Sequence, residues 1–144
     1  MEIVTTGKVA VSARIENLQD IYLADTGRES REQIRAIDVN DALVDTGAML
    51  LSVPRRLVQQ LGLKRTRTRT ARTTAGVVEF GIFQPVRLTV QGRDCVVEVA
   101  EIPDQCPVLI GQIPLEALDF VVDPVGHKLV GNPDHGGRQM IDLF

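Results

Sequence analysis

The chain has 144 residues, one domain's worth of sequence, and needs no disulfide staples to bury a core. Its hydrophobic and charged fractions, 44% and 24%, are those of an ordinary globular fold, and its formal net charge of −3 argues against a general polyanion binder. Trp is absent, and Tyr22, Phe80, Phe83, Phe120 and Phe144 are too few aromatics for a base-stacking platform, so no nucleic-acid partner is expected.

The N-terminus lacks a basic segment followed by an apolar run, and nothing approaches 18 apolar residues. No signal peptide and no membrane partner are therefore expected. Cys95 and Cys106 do not make a disulfide framework, and they could form a zinc cluster only with His127 and His135. Their spacing predicts reduced thiols in a cytoplasmic protein and no metal. Asp123 and Asp134 lie near the histidines, again without the spacing of a cation cage.

Alternation around Val9, Val11 and Ala13 predicts a strand over Gly7 to Arg14. Residues 24–33 are polar and read as a loop. Ile34 to Val39 alternates, and Ala42-Leu43-Val44 is a compact apolar run ending at Asp45. A helix is expected from Pro54 to Leu61, with Ser52 as a possible cap and Gly62 as its stop. In Lys64–Thr70, Arg and Thr alternate with period two. That predicts an edge strand with arginines on one face, either a patch for an anionic partner or, the favoured reading, a solvated edge defended by charge.

Val77–Phe83, Val86–Val90 and Cys95–Val99 read as strands, with turns at Ala75-Gly76, Gln91-Gly92-Arg93 and Pro103-Asp104. Leu109-Ile110-Gly111 is a short buried run, and Pro114 to Leu118 a second short helix. Asp123-Pro124-Val125-Gly126 is a hairpin turn by composition. Many short strands with one or two short helices predict a mainly β fold, a barrel or sandwich. The apolar end, Met140-Ile141-Asp142-Leu143-Phe144, is either an interface or a tail docked on its own core.

The chemistry is concentrated in Leu43-Val44-Asp45-Thr46-Gly47-Ala48. A carboxylate ends an apolar strand, Gly47 allows a sharp turn, and the Thr46 hydroxyl can brace the loop through neighbouring backbone. Asp25-Thr26-Gly27 repeats the tripeptide, but a charged run follows it, and it reads as a solvent-exposed turn.

The stretch from Leu43 to Pro54 resembles the active-site segment of retropepsin-like aspartic proteases, the clan AA family of retroviral proteases and their bacterial relatives. Val108-Leu109-Ile110-Gly111 resembles the family's apolar-apolar-Gly motif that packs beside the active-site loop, Leu115–Leu118 the helix after it, and Val121–Pro133 the closing hairpin of bacterial members. The likeness covers roughly residues 34–133, leaving the role of the first 33 residues open.

The resemblance implies a closed β-barrel of the acid protease fold, formed as a single lobe by residues 1–144 as one domain. It implies an aspartic endopeptidase without cofactor, in which two Asp side chains share one proton and activate one water against a peptide bond. One chain supplies only Asp45, so a C2 homodimer acting on a peptide or protein substrate is expected. Catalytic roles fall to Asp45, Thr46 and Gly47, with Thr46 making the inter-subunit hydrogen bond. Ala48 and the flap residues Thr74, Ala75, Gly76 and Val77 meet substrate, and Leu109, Ile110 and Gly111 support the loop. Ala48 stands where pepsin-like relatives carry Ser. The alternative is a catalytically silent binding or dimerisation module on the same fold.

Overall fold

The structure, a computed structural model, describes residues 8–144. Strand β1 (Lys8–Asn17) buries Val9, Val11, Ala13 and Ile15 on one face, the period-two pattern of a half-solvated strand. It runs three residues beyond the expected end, and the expected first residue, Gly7, lies outside the described residues.

The expected loop at 24–33 begins later, because Ala24 and Asp25 close a helix, α1 (Leu18–Asp25), that the sequence reading lacks. Asn17 caps it: its side-chain oxygen accepts the Asp20 amide at 3.0 Å, while its amide nitrogen donates to the Leu61 carbonyl at 2.8 Å. Leu18 and Ile21, three apart, are buried together. The almost fully buried Asp20 carboxylate then takes three hydrogen bonds from Arg35, one from its amide and two from its guanidinium. These hold α1 against the entry to the next strand.

Strand β2 (Ala36–Asp45) pairs antiparallel with β1, and β3 (Leu51–Pro54) leads into helix α2 (Arg55–Gln60). Ser52 does not cap α2. It lies within β3, Pro54 occupies the cap position, and Asp104 accepts the Arg56 amide at 2.7 Å. Gly62, at φ +66, ends the turn that follows.

Strands β4 (Arg65–Thr73) and β5 (Gly76–Val90) form a long hairpin. The two strands expected at 77–83 and 86–90 are one, carried past Pro85 by a register shift between Phe83 and Val86. A bulge is where a strand tolerates Pro, and the Gln84 side chain accepts the Lys64 amide there. Strand β6 (Arg93–Ile102) follows Gln91 and Gly92, whose φ values of 49° and 79° give a turn suited to a two-residue hairpin.

Then come β7 (Leu109–Ile110), helix α3 (Gln112–Leu118), the hairpin β8 (Phe120–Asp123) and β9 (Lys128–Gly131), and a 3-10 turn at Pro133–His135. The second expected helix starts two residues earlier than read. The described residues hold three α-helices rather than one or two.

The main sheet has the order β1-β2-β7-β3-β6-β5-β4, and an added pairing of β1 with β5 closes six of these strands into a ring. The fold is thus mainly β, as the sequence reading expects. β1 is essential to closure although it lies outside the family-like segment. Ile15, Val44, Leu51, Val53, Leu88 and Ile110 fill the interior with no or almost no exposure. Each such burial contributes about 1.5–3 kcal/mol. β4 lies outside the ring and pairs only with β5 among the described residues.

Candidate active site

Asp45 is the last residue of β2. That strand runs parallel to β7, with Leu43 opposite Leu109 and Val44 opposite Ile110, and the Leu43 amide reaches the Val108 carbonyl at 2.8 Å. β7 is flanked on its other side by β3, so residues 46–50 must cross the end of β7 to join β2 to β3. The residue beneath that crossing is Gly111. A Cβ there would sit 2.6 Å from the Leu50 carbonyl oxygen and 2.7 Å from that of Ala48. Its φ of −88° is open to any residue, so glycine is required here for its missing side chain.

Three consecutive amides bind three consecutive carbonyls across this contact: Gly111 to Leu50 at 3.0 Å, Gln112 to Ala48 at 2.9 Å and Ile113 to Met49 at 2.9 Å. The N-terminal amides of a helix have no partner within it. In α3 no side chain among the described residues caps them, and the Asp45 loop does so instead. The sequence reading contains Leu109, Ile110 and Gly111 but not Gln112 and Ile113. It starts α3 at Pro114, which hides the amides that face the loop.

Within the loop, the Gly47 amide donates to Asp45 Oδ1 at 3.0 Å and the Ala48 amide to the Asp45 carbonyl at 3.0 Å. One carboxylate oxygen is thereby oriented, and the other has no protein partner among the described residues. The bracing expected from the Thr46 hydroxyl is supplied by these amides. Thr46 is exposed, and no hydrogen bond among the described residues uses its hydroxyl. Asp45 and Ala48 are half-buried, Gly47 is exposed, and Met49 stands out at 65% exposure. An oriented, solvent-accessible carboxylate on a rigid loop can act as a general base or, protonated, as an acid.

Thr74, Ala75, Gly76 and Val77 form the exposed tip of the β4–β5 hairpin. Thr73 braces it: its hydroxyl donates to the Gly76 carbonyl at 2.8 Å and accepts the Ala75 amide at 3.1 Å. Gly76, at φ +113, holds a conformation that other residues rarely adopt. No hydrogen bond or ion pair among the described residues joins this tip to the Asp45 loop. A surface concavity of about 540 Å³, lined by Ser12, Arg14, Asp38, Asn40, Thr89 and Gln91 among others, lies on the β1–β2–β5 wall and includes no residue of that loop.

Residues 36–124, more than half of the chain, match the aspartyl protease family. The chain belongs to the aspartyl protease family. The match contains Asp45, β7 and Gly111 and excludes Asp25, so family membership falls on the second Asp-Thr-Gly copy. The first copy is a helix end: Asp25 closes α1 and pairs with Arg31 at 2.6 Å, and the Thr26 hydroxyl donates to the Leu23 carbonyl. No match was found among curated proteins.

Cys95 and Cys106 are both unpaired and half-buried in this family member, and burial pushes the Cys95 thiol up to about 11. His127 sits in the β8–β9 turn, and His135 is hydrogen-bonded to Asp119. No helix is long and apolar enough to cross a membrane among the described residues.

Proposed function

We infer that the protein is an aspartic endopeptidase in which residues 1–144 form one lobe and two copies, related by a two-fold axis, form one active site. The observation that carries this is Asp45 at the end of β2. The loop after it is tied to Gly111, Gln112 and Ile113, and one carboxylate oxygen is held by Gly47 while the other has no partner among the described residues. One chain offers one such carboxylate, and peptide hydrolysis by shared-proton chemistry needs two.

In the assembled site the ionised Asp45 takes a proton from the water that attacks the scissile carbonyl. The protonated Asp45 of the other copy donates to the carbonyl oxygen. Collapse of the tetrahedral diol breaks the C–N bond, and a proton passes to the leaving amine. The pair titrates as a unit, because two adjacent carboxylates cannot both ionise cheaply. Thr46, whose hydroxyl has no partner among the described residues, links the two loops. Thr74 to Val77 form the flap over the substrate, and Ala48 lies beneath it. Membership of the aspartyl protease family supports this reading.

The test uses the full chain and an unfolded protein substrate. Wild type cleaves it, pepstatin inhibits the cleavage, Asp45→Asn abolishes it, and sedimentation gives a dimer. Cleavage that persists in Asp45→Asn overturns the assignment of Asp45. A folded dimer without cleavage under any pH favours the silent binding module.

A further inference from the structure

The Arg/Thr strand is the first arm of the hairpin whose tip is read above as the flap, and its charge plays no part in that reading, yet it concentrates the chain's positive charge. The 33 residues between Asp45 and Glu79 carry seven of the 16 basic residues and none of the 19 acidic ones. Lys64, Arg65, Arg67, Arg69 and Arg72 fall on or just before β4. Every residue from Lys64 to Thr73 is exposed except Ala71.

The arginines do not share one face as strict alternation predicts. A register shift sets Arg65 opposite Phe83 and Arg67 opposite Ile82, so Thr66 is the extra residue of a bulge and its hydroxyl donates to the Ile82 carbonyl at 3.1 Å. Arg67 and Arg69 then lie on one face, and Arg65 and Arg72 on the other. Glu98 compensates Arg67 through two hydrogen bonds of 2.7 and 2.8 Å. Arg65, Arg69 and Arg72 have no carboxylate within 4.0 Å among the described residues. Both faces of this edge thus hold arginines with no directly paired carboxylate among the described residues, with Glu98 acting on Arg69 only at longer range.

We propose that the free edge of β4 receives an extended, acidic polypeptide segment by strand addition. β4 pairs only through its β5 side among the described residues, so alternate amides and carbonyls point outward along a nine-residue strand. An edge is ordinarily closed to pairing by shortness, Pro, a bulge, charge or covering structure. β4 is long, has no Pro and is more than half threonine and alanine, so beyond the bulge at Thr66 its guard is charge. That guard is selective. It repels another β4 and any basic strand, and attracts an acidic one, whose side chains meet arginine on whichever face they project. Nucleic acid is disfavoured because β4 carries no aromatic residue for stacking and the whole chain is net negative.

The test measures binding to the full-length Asp45→Asn protein, so the peptide is not cut and the result stands whether or not the chain is a protease. The probe is a fluorescent peptide of alternating Glu and Val, as long as β4. It is expected to bind, and the Lys/Val peptide is not. Arg69→Glu with Arg72→Glu weakens binding about tenfold or more, as loss of two exposed ion pairs implies, while Arg69→Lys with Arg72→Lys retains it. The fully N-methylated Glu/Val peptide, which keeps its charge and loses every backbone donor, also binds at least about tenfold more weakly. Equal binding of the N-methylated peptide overturns strand addition. Tighter binding of oligo(dT), lost in the same Glu variant, overturns the choice of a polypeptide. Unchanged binding in the folded Glu variant overturns the site.

Discussion

A methyl group on Gly111 would lie 2.7 Å from the carbonyl oxygen of Ala48, inside the contact distance of real side chains. The loop that carries Asp45 therefore rests directly on the backbone leading into α3. Gly111→Ala is expected to lift that loop, at a cost of about 1–3 kcal/mol as in other overpacked sites. Cleavage should fall further than unfolding alone explains, because the displaced residues include those that orient Asp45. Urea unfolding and kcat/KM of the variant check this, and wild-type values for both would contradict it.

The second Asp-Thr-Gly gives an internal control. Asp25 is exposed, and its one ion pair, with Arg31, contributes less than about 1 kcal/mol. Asp25→Asn should leave both Tm and proteolysis unchanged. Lost proteolysis in a folded Asp25→Asn protein would contradict the choice of Asp45.

Ala48 offers no donor to the Asp45 carboxylate. A Ser hydroxyl at 48 that donates to the ionised form would lower the carboxylate's pKa and move the acid limb of the pH–rate profile to lower pH. A pH–rate profile of Ala48→Ser beside wild type checks this, and an acid limb that is unchanged or moves upward contradicts it.

The Asp45 loop and the Gly111 turn beneath it are legible because each is a local sequence event. An apolar strand ends in Asp45, a turn follows, and an apolar pair ends in Gly111. What the sequence hid is non-local. Helix α1 has its own signals in Asn17, Leu18 and Ile21, but an eight-residue helix depends on tertiary ties such as Arg35 to Asp20. The role of β1 as the closing strand depends on its pairing with β5, 69 to 75 residues away. The bulge at Thr66 turns one arginine to the opposite face, and alternation alone cannot announce it. Ser52 has the composition of a cap but lies within β3, and the Arg56 amide at the start of α2 is met instead by Asp104, 48 residues beyond Arg56.

The C-terminal segment is latched by an acid–histidine pair. Asp119, 6% exposed, accepts His135 Nδ1 at 2.6 Å, Asn132 Nδ2 at 3.2 Å and the Met140 amide at 3.0 Å, while Arg93 donates to the carbonyls of Leu118, Asp119 and Gly137. The His135 hydrogen bond holds Asp119 below its ordinary 3.8, and Asp119 holds His135 above 6.5. The pair's contribution is complete between those two values. It is lost as pH falls through the lowered Asp119 pKa, and lost again as pH rises through the raised His135 pKa. His135→Ala should therefore lower Tm most between about pH 4 and 6.5, with the gap to wild type narrowing at alkaline pH. A gap that widens from pH 6.5 to 9 would contradict this. Beyond the latch, Ile141, Leu143 and Phe144 are exposed rather than docked on the chain's own core.

The central claim, that one site is built from two Asp45 side chains, is tested most directly by mixing. Wild type is held constant, Asp45→Asn protein is added to about tenfold excess, subunits are allowed to exchange, and cleavage of saturating substrate is measured. If each site needs Asp45 from both copies, nearly all wild-type chains end in mixed dimers and activity falls about tenfold. Activity that stays constant as the inactive chain is added would mean that a single chain carries a complete site.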